Sequence, residues 1–189
     1  MKILSGTKAD IISDLKGIVK QAKIPDSYII TRKEWSNESS KKSFINILPK
    51  DVPLIIRSSS KWEDTETTSN AGAYVSIPNV SLESIEEAVR NVFSSYSEHL
   101  SEDQVLIQIM IKDLVRSGVA LSHEPTTGSP YKTINWQEGN DSAFVTSGQG
   151  GKIWMQASND RKKMKTPFKL KKVIDLIIEL ENIYLSTPI

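Results

Sequence analysis

Residues 54–77, LIIRSSSKWEDTETTSNAGAYVSI, constrain this chain more than any other stretch. Leu54, Ile55 and Ile56 make a short apolar run of the kind that forms a buried strand. Arg57 follows with the hydroxyls of Ser58, Ser59 and Ser60, then an acidic, threonine-rich loop, Ala71-Gly72 and a second strand. A guanidinium held at a strand end beside those hydroxyls offers many donors to one point, which suits a polyphosphate better than a single carboxylate. The same residues also fit an ordinary strand and polar turn whose arginine pairs with Glu63 or Asp64.

Composition narrows the classes. A length of 189 residues allows one good core or two small lobes. With 24 basic and 23 acidic side chains the net charge is +1, which gives no support for a nucleic-acid partner. There is no cysteine, so no disulfide, thiol nucleophile or zinc thiolate. His99 and His123 are too few for a histidine-based metal site. No apolar run has the length of a membrane span and the first residues lack a signal-peptide core, so a cytoplasmic location without a membrane partner is the default.

In chain order, GTKADIISDLKGIVKQA places Ile11, Ile12, Leu15, Ile18 and Val19 on one helical face, with Thr7 as N-cap. Lys8 then sits in the first turn, where a cation opposes the helix dipole; it is either merely exposed or placed there for a ligand. IPDSYIIT reads as a strand, Thr31 to Glu34 as a capping box, and residues 36–43 as a polar loop or frayed end. SLESIEEAVRNVFSSYSEHL is a helix capped by Ser81, with Leu82, Ile85, Val89, Val92, Phe93 and Tyr96 on its apolar face and His99 at its end as a dipole partner. VLIQIMI is a strand whose one amide, Gln108, needs partners of its own. RSGVALS, TINW, SAFVTSG and GKIWMQAS read as short strands around the turn-rich HEPTTGSPYK. A final helix spans about 168–184, with Val173, Ile174, Ile177, Ile178 and Leu185 available for burial; the basic residues Arg161, Lys162, Lys163 and Lys165 before it read as a solvated run. The change of character near 101–104 gives two lobes, 1–104 and 105–189, and two lobes leave a cleft for a small ligand.

The order of these motifs resembles the N-terminal nucleotide-binding region of the pyruvate phosphate dikinase and phosphoenolpyruvate synthase family. The resemblance runs from GTKADIISDL to the last residue. RSSSKWEDTETTSNAGAYVSI is similar to the family's RSS, ED and AG series, VLIQIMI to the strand entering its adenine hinge, and SGVALSHEPTTG to its acid-proline and TG segment. The resemblance implies an α+β, two-lobed ATP-grasp-like fold, with a mixed α/β N-terminal lobe and a mostly antiparallel sheet plus helix in the second. It implies ATP and magnesium as cofactors. Lys8 and Arg57 would hold the phosphates as the catalytic pair, with Ser58 and Ser76 beside them, and Gln108 with the backbone of Ile109, Met110 and Ile111 would face adenine. Glu63 and Asp64 would order the phosphate loop, and Thr65 to Ser69 would be a mobile lid.

TINWQEGNDSAFVTSG lacks the glycine-rich pattern of pyruvate-using members and is closer to divergent members of surface-polysaccharide synthesis, among them glutamine kinases. The sequence stops where the family's Asp-Ile-Glu strand would start, so the expectation is a C-terminally truncated fragment, with no metal ligands assigned, whose phosphohistidine and acceptor-binding domains lie elsewhere in a longer chain. His99 and His123 lie inside the ATP-grasp lobes and are not the phosphocarrier. The implied function is the ATP-binding part of a dikinase-like phosphotransferase. The alternative is a non-catalytic, degenerate ATP-grasp module. A carboxylate-amine ligase fits less well, because the RSSS series is not typical of those enzymes.

Overall fold

The computed structural model describes residues 6–60, 75–96, 100–139, 151–158 and 167–184, and the backbone of 64–65 and 68–69. The chain divides into two compact units: Ser5–Lys16 with Ile24–Ile111, and Met1–Leu4 and Gly17–Lys23 with Lys112–Ile189. Both mix helices with antiparallel strands, an α+β architecture compatible with an ATP-grasp-like fold.

The first unit contains α1 (Lys8–Leu15), β1 (Ser27–Thr31), α2 (Arg32–Ser36), α3 (Glu38–Ile47), β2 (Leu54–Ser59), β3 (Asp64–Thr65), β4 (Thr68–Ser69), β5 (Ser76–Val80), α4 (Ile85–Ser94) and β6 (Gln104–Ile109). Its main sheet has the order β1-β6-β2-β5, antiparallel throughout. The unit boundary therefore falls after Ile111, whereas the sequence expectation put it between 104 and 105. The reason is that β6 is an inner strand bonded on both sides, and a cut before it would open the sheet.

α4 covers one face of this sheet. Ile85, Val89, Val92, Phe93 and Tyr96 are buried against Ile30, Leu54, Ile56, Val105 and Ile107, as the spacing at three and four requires. Each such side chain contributes roughly 1.5–3 kcal/mol on full burial, which makes this layer the main stabilising element of the unit. A short 3-10 turn, Leu82–Ser84, precedes the helix, and Ser81 makes no side-chain capping bond to it.

Two local readings change. Residues 36–43 are helical for most of their length: α3 is capped by Asn37, whose side chain accepts from the Ser40 amide at 2.9 Å, with Glu38 in the first turn. Its apolar anchors, Phe44 and Ile45, lie only toward its end, so a polar first half hid the period. α1 stops at Lys16 instead of running through Val19, because Gly17 takes φ +89° and turns the chain. The Thr31–Glu34 capping box forms as expected. Between β2 and β5, β3 and β4 pair as Asp64↔Ser69 and Thr65↔Thr68, so the segment expected to be a lid has a short antiparallel ladder in its backbone. Glu63 lies outside the described residues.

The second unit has β7 (Arg116–Leu121), β8 (Tyr131–Glu138) and β9 (Lys152–Ala157) in one antiparallel sheet, and α5 (Lys171–Ile183) entered through a 3-10 turn. Ile134, Leu170, Ile174 and Ile177 form its core with Trp136, Trp154 and Val173 packed around them, and Lys132 reaches Glu181 at 2.8 Å. Ile178, expected to be buried, is 45% exposed because it lies beyond the Ile174–Ile177 stripe. SAFVTSG, the basic run at 161–165, His99 and Leu185 lie outside the described residues. Among the described residues no helix is long and apolar enough to cross a membrane.

Candidate functional site

Alternation along β2 sends Leu54, Ile56 and Ser58 toward α4 and Ile55, Arg57 and Ser59 to the opposite face. Residues directly opposite in an antiparallel ladder share a face. The register therefore places Ile29, Leu106, Arg57 and Ser76 in one row across the sheet. Thr31, Gln104 and Ser59 form the row on one side, and Ser27, Gln108 and Ile55 the row on the other. Arg57, Ser76 and Gln108, which the sequence singled out, thus share one face.

α1 is docked on the same face. Thr7 forms a capping box with Asp10: the Thr7 amide donates to Asp10 Oδ2 at 3.0 Å and the Asp10 amide donates to Thr7 Oγ1 at 3.2 Å. Thr7 Oγ1 donates onward to Gln104 Oε1 at 2.6 Å. The Ala9 amide donates to Ser59 Oγ at 2.8 Å. Lys8 stands between these two anchors at the first position of the helix, so its backbone lies on the sheet face that carries Arg57. The acidic residue that the helix dipole favours is Asp10, in the same turn. Thr-x-x-Asp at 7–10 was a readable signal of it.

Arg57 is half-buried, and its Nε is buried without a hydrogen-bond partner among the described residues. An orphaned buried donor costs about 1–3 kcal/mol, so its presence in a well-formed strand fits a group that is satisfied by an anionic ligand. Ser58 lies on the opposite face of the sheet from Arg57, unlike the expectation that set it beside the guanidinium. Ser58 is only 1% exposed and lies on the α4 side, Ser59 Oγ is occupied by the Ala9 amide, and buried Ser60 points its hydroxyl to Asp103 Oδ1 at 3.4 Å. Period-two alternation separates Arg57 from Ser58; Ser76, exposed on edge strand β5, is the hydroxyl residue beside it.

Gln108 is buried, and its Nε2 donates to Ser27 Oγ at 2.9 Å, the partner that a strand amide needs. At the strand end, Ile109 pairs with Leu54, the Met110 amide donates to the Pro53 carbonyl at 2.8 Å, and Ile111 is exposed. The Met110 N–H is therefore committed to the sheet. Among the described residues no group of three or more His, Asp or Glu side chains gathers as a metal site.

In the second unit the acid-proline segment folds as a tight turn. Glu124 accepts from the amides of Thr126 at 3.0 Å and Thr127 at 2.7 Å and from the Thr127 hydroxyl, and Gly128 at φ +66° closes it. These bonds, with the Thr127 hydroxyl foremost, hold the Glu124 carboxyl at about 2, well below its ordinary 4.5. A carboxylate whose value is depressed on folding stabilises above its ordinary value and loses that contribution as pH falls toward the depressed one. Glu124→Gln should therefore melt below the wild type at pH 6, with the gap closing between pH 4.5 and 2; a pH-independent gap would mean that the carboxylate's charge does not hold the turn. His123, at 2.9 Å from buried Ser122 Oγ, makes a local contact and joins no titratable cluster among the described residues.

Sequence reasoning missed Gln104, Ser59 and Tyr96 as the groups that seat α1. Gln104, a polar residue opening an apolar strand, was the only visible signal among them. A family model described as the pyruvate phosphate dikinase AMP/ATP-binding domain matches residues 9–167. That span takes in α1 from its second residue, the Arg57 row and all three strands of the second sheet, and the chain belongs to the pyruvate phosphate dikinase AMP/ATP-binding domain family.

Proposed function

We propose that the Arg57 face of the first unit binds the phosphates of ATP, with Lys8 and Arg57 as the two cations and Ser76 beside them. The buried, unpartnered Nε of Arg57 is the observation that carries this reading. Gln108, with its amide oriented by Ser27, stands at the base end of the same face, and the strand end that follows it, residues 109–111, is the candidate adenine hinge. Family membership supports nucleotide binding; the residue roles are this proposal's own. Phosphoryl transfer depends on positioning and on neutralising spread negative charge, which two cations on a rigid sheet and a docked helix supply.

On this reading the chain is the nucleotide-binding part of a dikinase-like phosphotransferase, passing a phosphoryl group from ATP to a histidine on a separate domain and then to a small acceptor, with one water consumed and AMP and phosphate released. The TINWQEGNDSAFVTSG segment favours a glutamine kinase-like acceptor over pyruvate. The test compares ATP, AMP and adenosine by thermal shift. At 100 times its dissociation constant ATP should stabilise by about 2.7 kcal/mol, or roughly 5–11 °C for a chain this size. Adenosine should bind far more weakly, and the difference should shrink with added salt. Equal affinity for ATP and adenosine would reject a phosphate clamp.

A further inference from the structure

α1 is eight residues long, fully buries Ala9 and half-buries Ile11, Ile12 and Leu15, and helices of this length are marginal alone. Apolar contacts of this kind are not directional, and the register of the first turn is set by polar ties with Gln104 at their centre. Its Oε1 accepts from the Thr7 hydroxyl at 2.6 Å, and its Nε2 approaches Asp10 Oδ1 at 3.4 Å, so one amide grips both ends of the capping box. Its backbone carbonyl accepts from the Tyr96 hydroxyl, which in turn accepts from the Ser59 amide at 2.9 Å. Ser59 closes the circuit through its Oγ to the Ala9 amide. The ring joins the end of α4, the end of β2, the start of β6 and the first turn of α1, one sheet row from Arg57.

We infer that Gln104 is a positioning residue, which sets Lys8 against Arg57 by holding the first turn of α1 on the sheet. The inference rests on the phosphate reading above. The Ala9 and Asp10 amides are spent on Ser59 and Thr7, so they are not open to a phosphate, and the contribution of this turn comes through the Lys8 side chain. Where that side chain can reach is set by where the helix sits, and a shift of about 1 Å at such a site can cost about a hundredfold in rate.

Dissociation constants for ATP and adenosine are measured on the 189-residue chain and on Gln104→Leu, Thr7→Val, Thr7→Ser, Lys8→Ala and the double variant Lys8→Ala/Gln104→Leu. Gln104→Leu and Thr7→Val should each weaken ATP about tenfold, or about 1.4 kcal/mol, and leave adenosine unchanged. Thr7→Ser, which keeps the hydroxyl, should bind ATP more tightly than Thr7→Val. The double variant should be no weaker than Lys8→Ala alone, because residues acting through one another are not additive. If Gln104→Leu weakens ATP and adenosine alike, or its effect adds in full to that of Lys8→Ala, Gln104 is structural only and the inference falls while the phosphate reading stands. Should Lys8→Ala leave ATP affinity intact, the phosphate role of Lys8 fails and takes this inference with it. Thr7→Val keeps the comparison available if Gln104→Leu does not fold.

Discussion

Arg57→Met should raise the melting temperature of the ligand-free chain while removing at least half of the stabilisation given by ATP. The two halves of this result have one cause. In the free chain the Nε of Arg57 is a buried donor with no acceptor among the described residues, and such a group costs about 1–3 kcal/mol. Methionine fills similar space with a thioether that requires no partner. Relief of even about 1 kcal/mol raises the midpoint by roughly 2–4 °C. With ATP present the balance reverses, since hydrogen bonds to charged groups contribute about 1.5–3 kcal/mol, or about ten- to more than a hundredfold in affinity. Arg57→Lys keeps the charge and loses the planar donor set, so it should fall between the two. A Met variant that is less stable than the wild type and stabilised by ATP to the same extent would remove Arg57 from the phosphate site.

Replacement of Asp103 by alanine should cost about 3 kcal/mol or more, a drop of roughly 6–12 °C. The carboxylate is 4% exposed, accepts the Leu100 amide at 3.0 Å and stands 3.6 Å from Arg32 Nη2. Arg32 has few other means of support. It donates to the Phe93 carbonyl at 2.6 Å and lies 4.7 Å from the centre of the Phe93 ring, while its Nε is buried and unpaired. Loss of the carboxylate would leave a largely buried cation without its counter-charge, the costly half of a buried ion pair. Asp103→Asn keeps an acceptor for the Leu100 amide and should lose less. The double change Arg32→Met/Asp103→Leu should be less destabilised than Asp103→Ala, because neither charge is then stranded. An Asp103→Ala midpoint within about 1–2 °C of the wild type would show that Arg32 is held by Phe93 and Tyr96 alone.

Much of the first unit was legible because its elements bury a regular stripe. The α4 heptad-like spacing, the Leu54–Ile56 run and the Thr31–Glu34 box each state their structure within a few residues. α3 was not legible, since only Phe44 and Ile45 report its packing and both stand at one end. Of the residues in the proposed site, Arg57, Ser76 and Gln108 share a face, which follows from strand period and register. Ser58 was grouped with Arg57 by adjacency, although neighbours in a strand point oppositely. Gln104 and Tyr96 act through contacts to Thr7 and Ser59, which are far from them in the chain, and no local pattern encodes those.

The spent amides at the start of α1 also bear on how such a domain changes over generations. Where backbone amides cradle phosphate, recognition is written into the path of the chain and cannot be lost without disturbing the architecture. Here the helix start is consumed by Ser59 and the capping box, and the two cations stand outside that circuit. On the phosphate reading, replacing them would silence the nucleotide response while the capping box and its tie to Ser59 remain. On that reading a single substitution at either cation parts nucleotide binding from the fold that carries it.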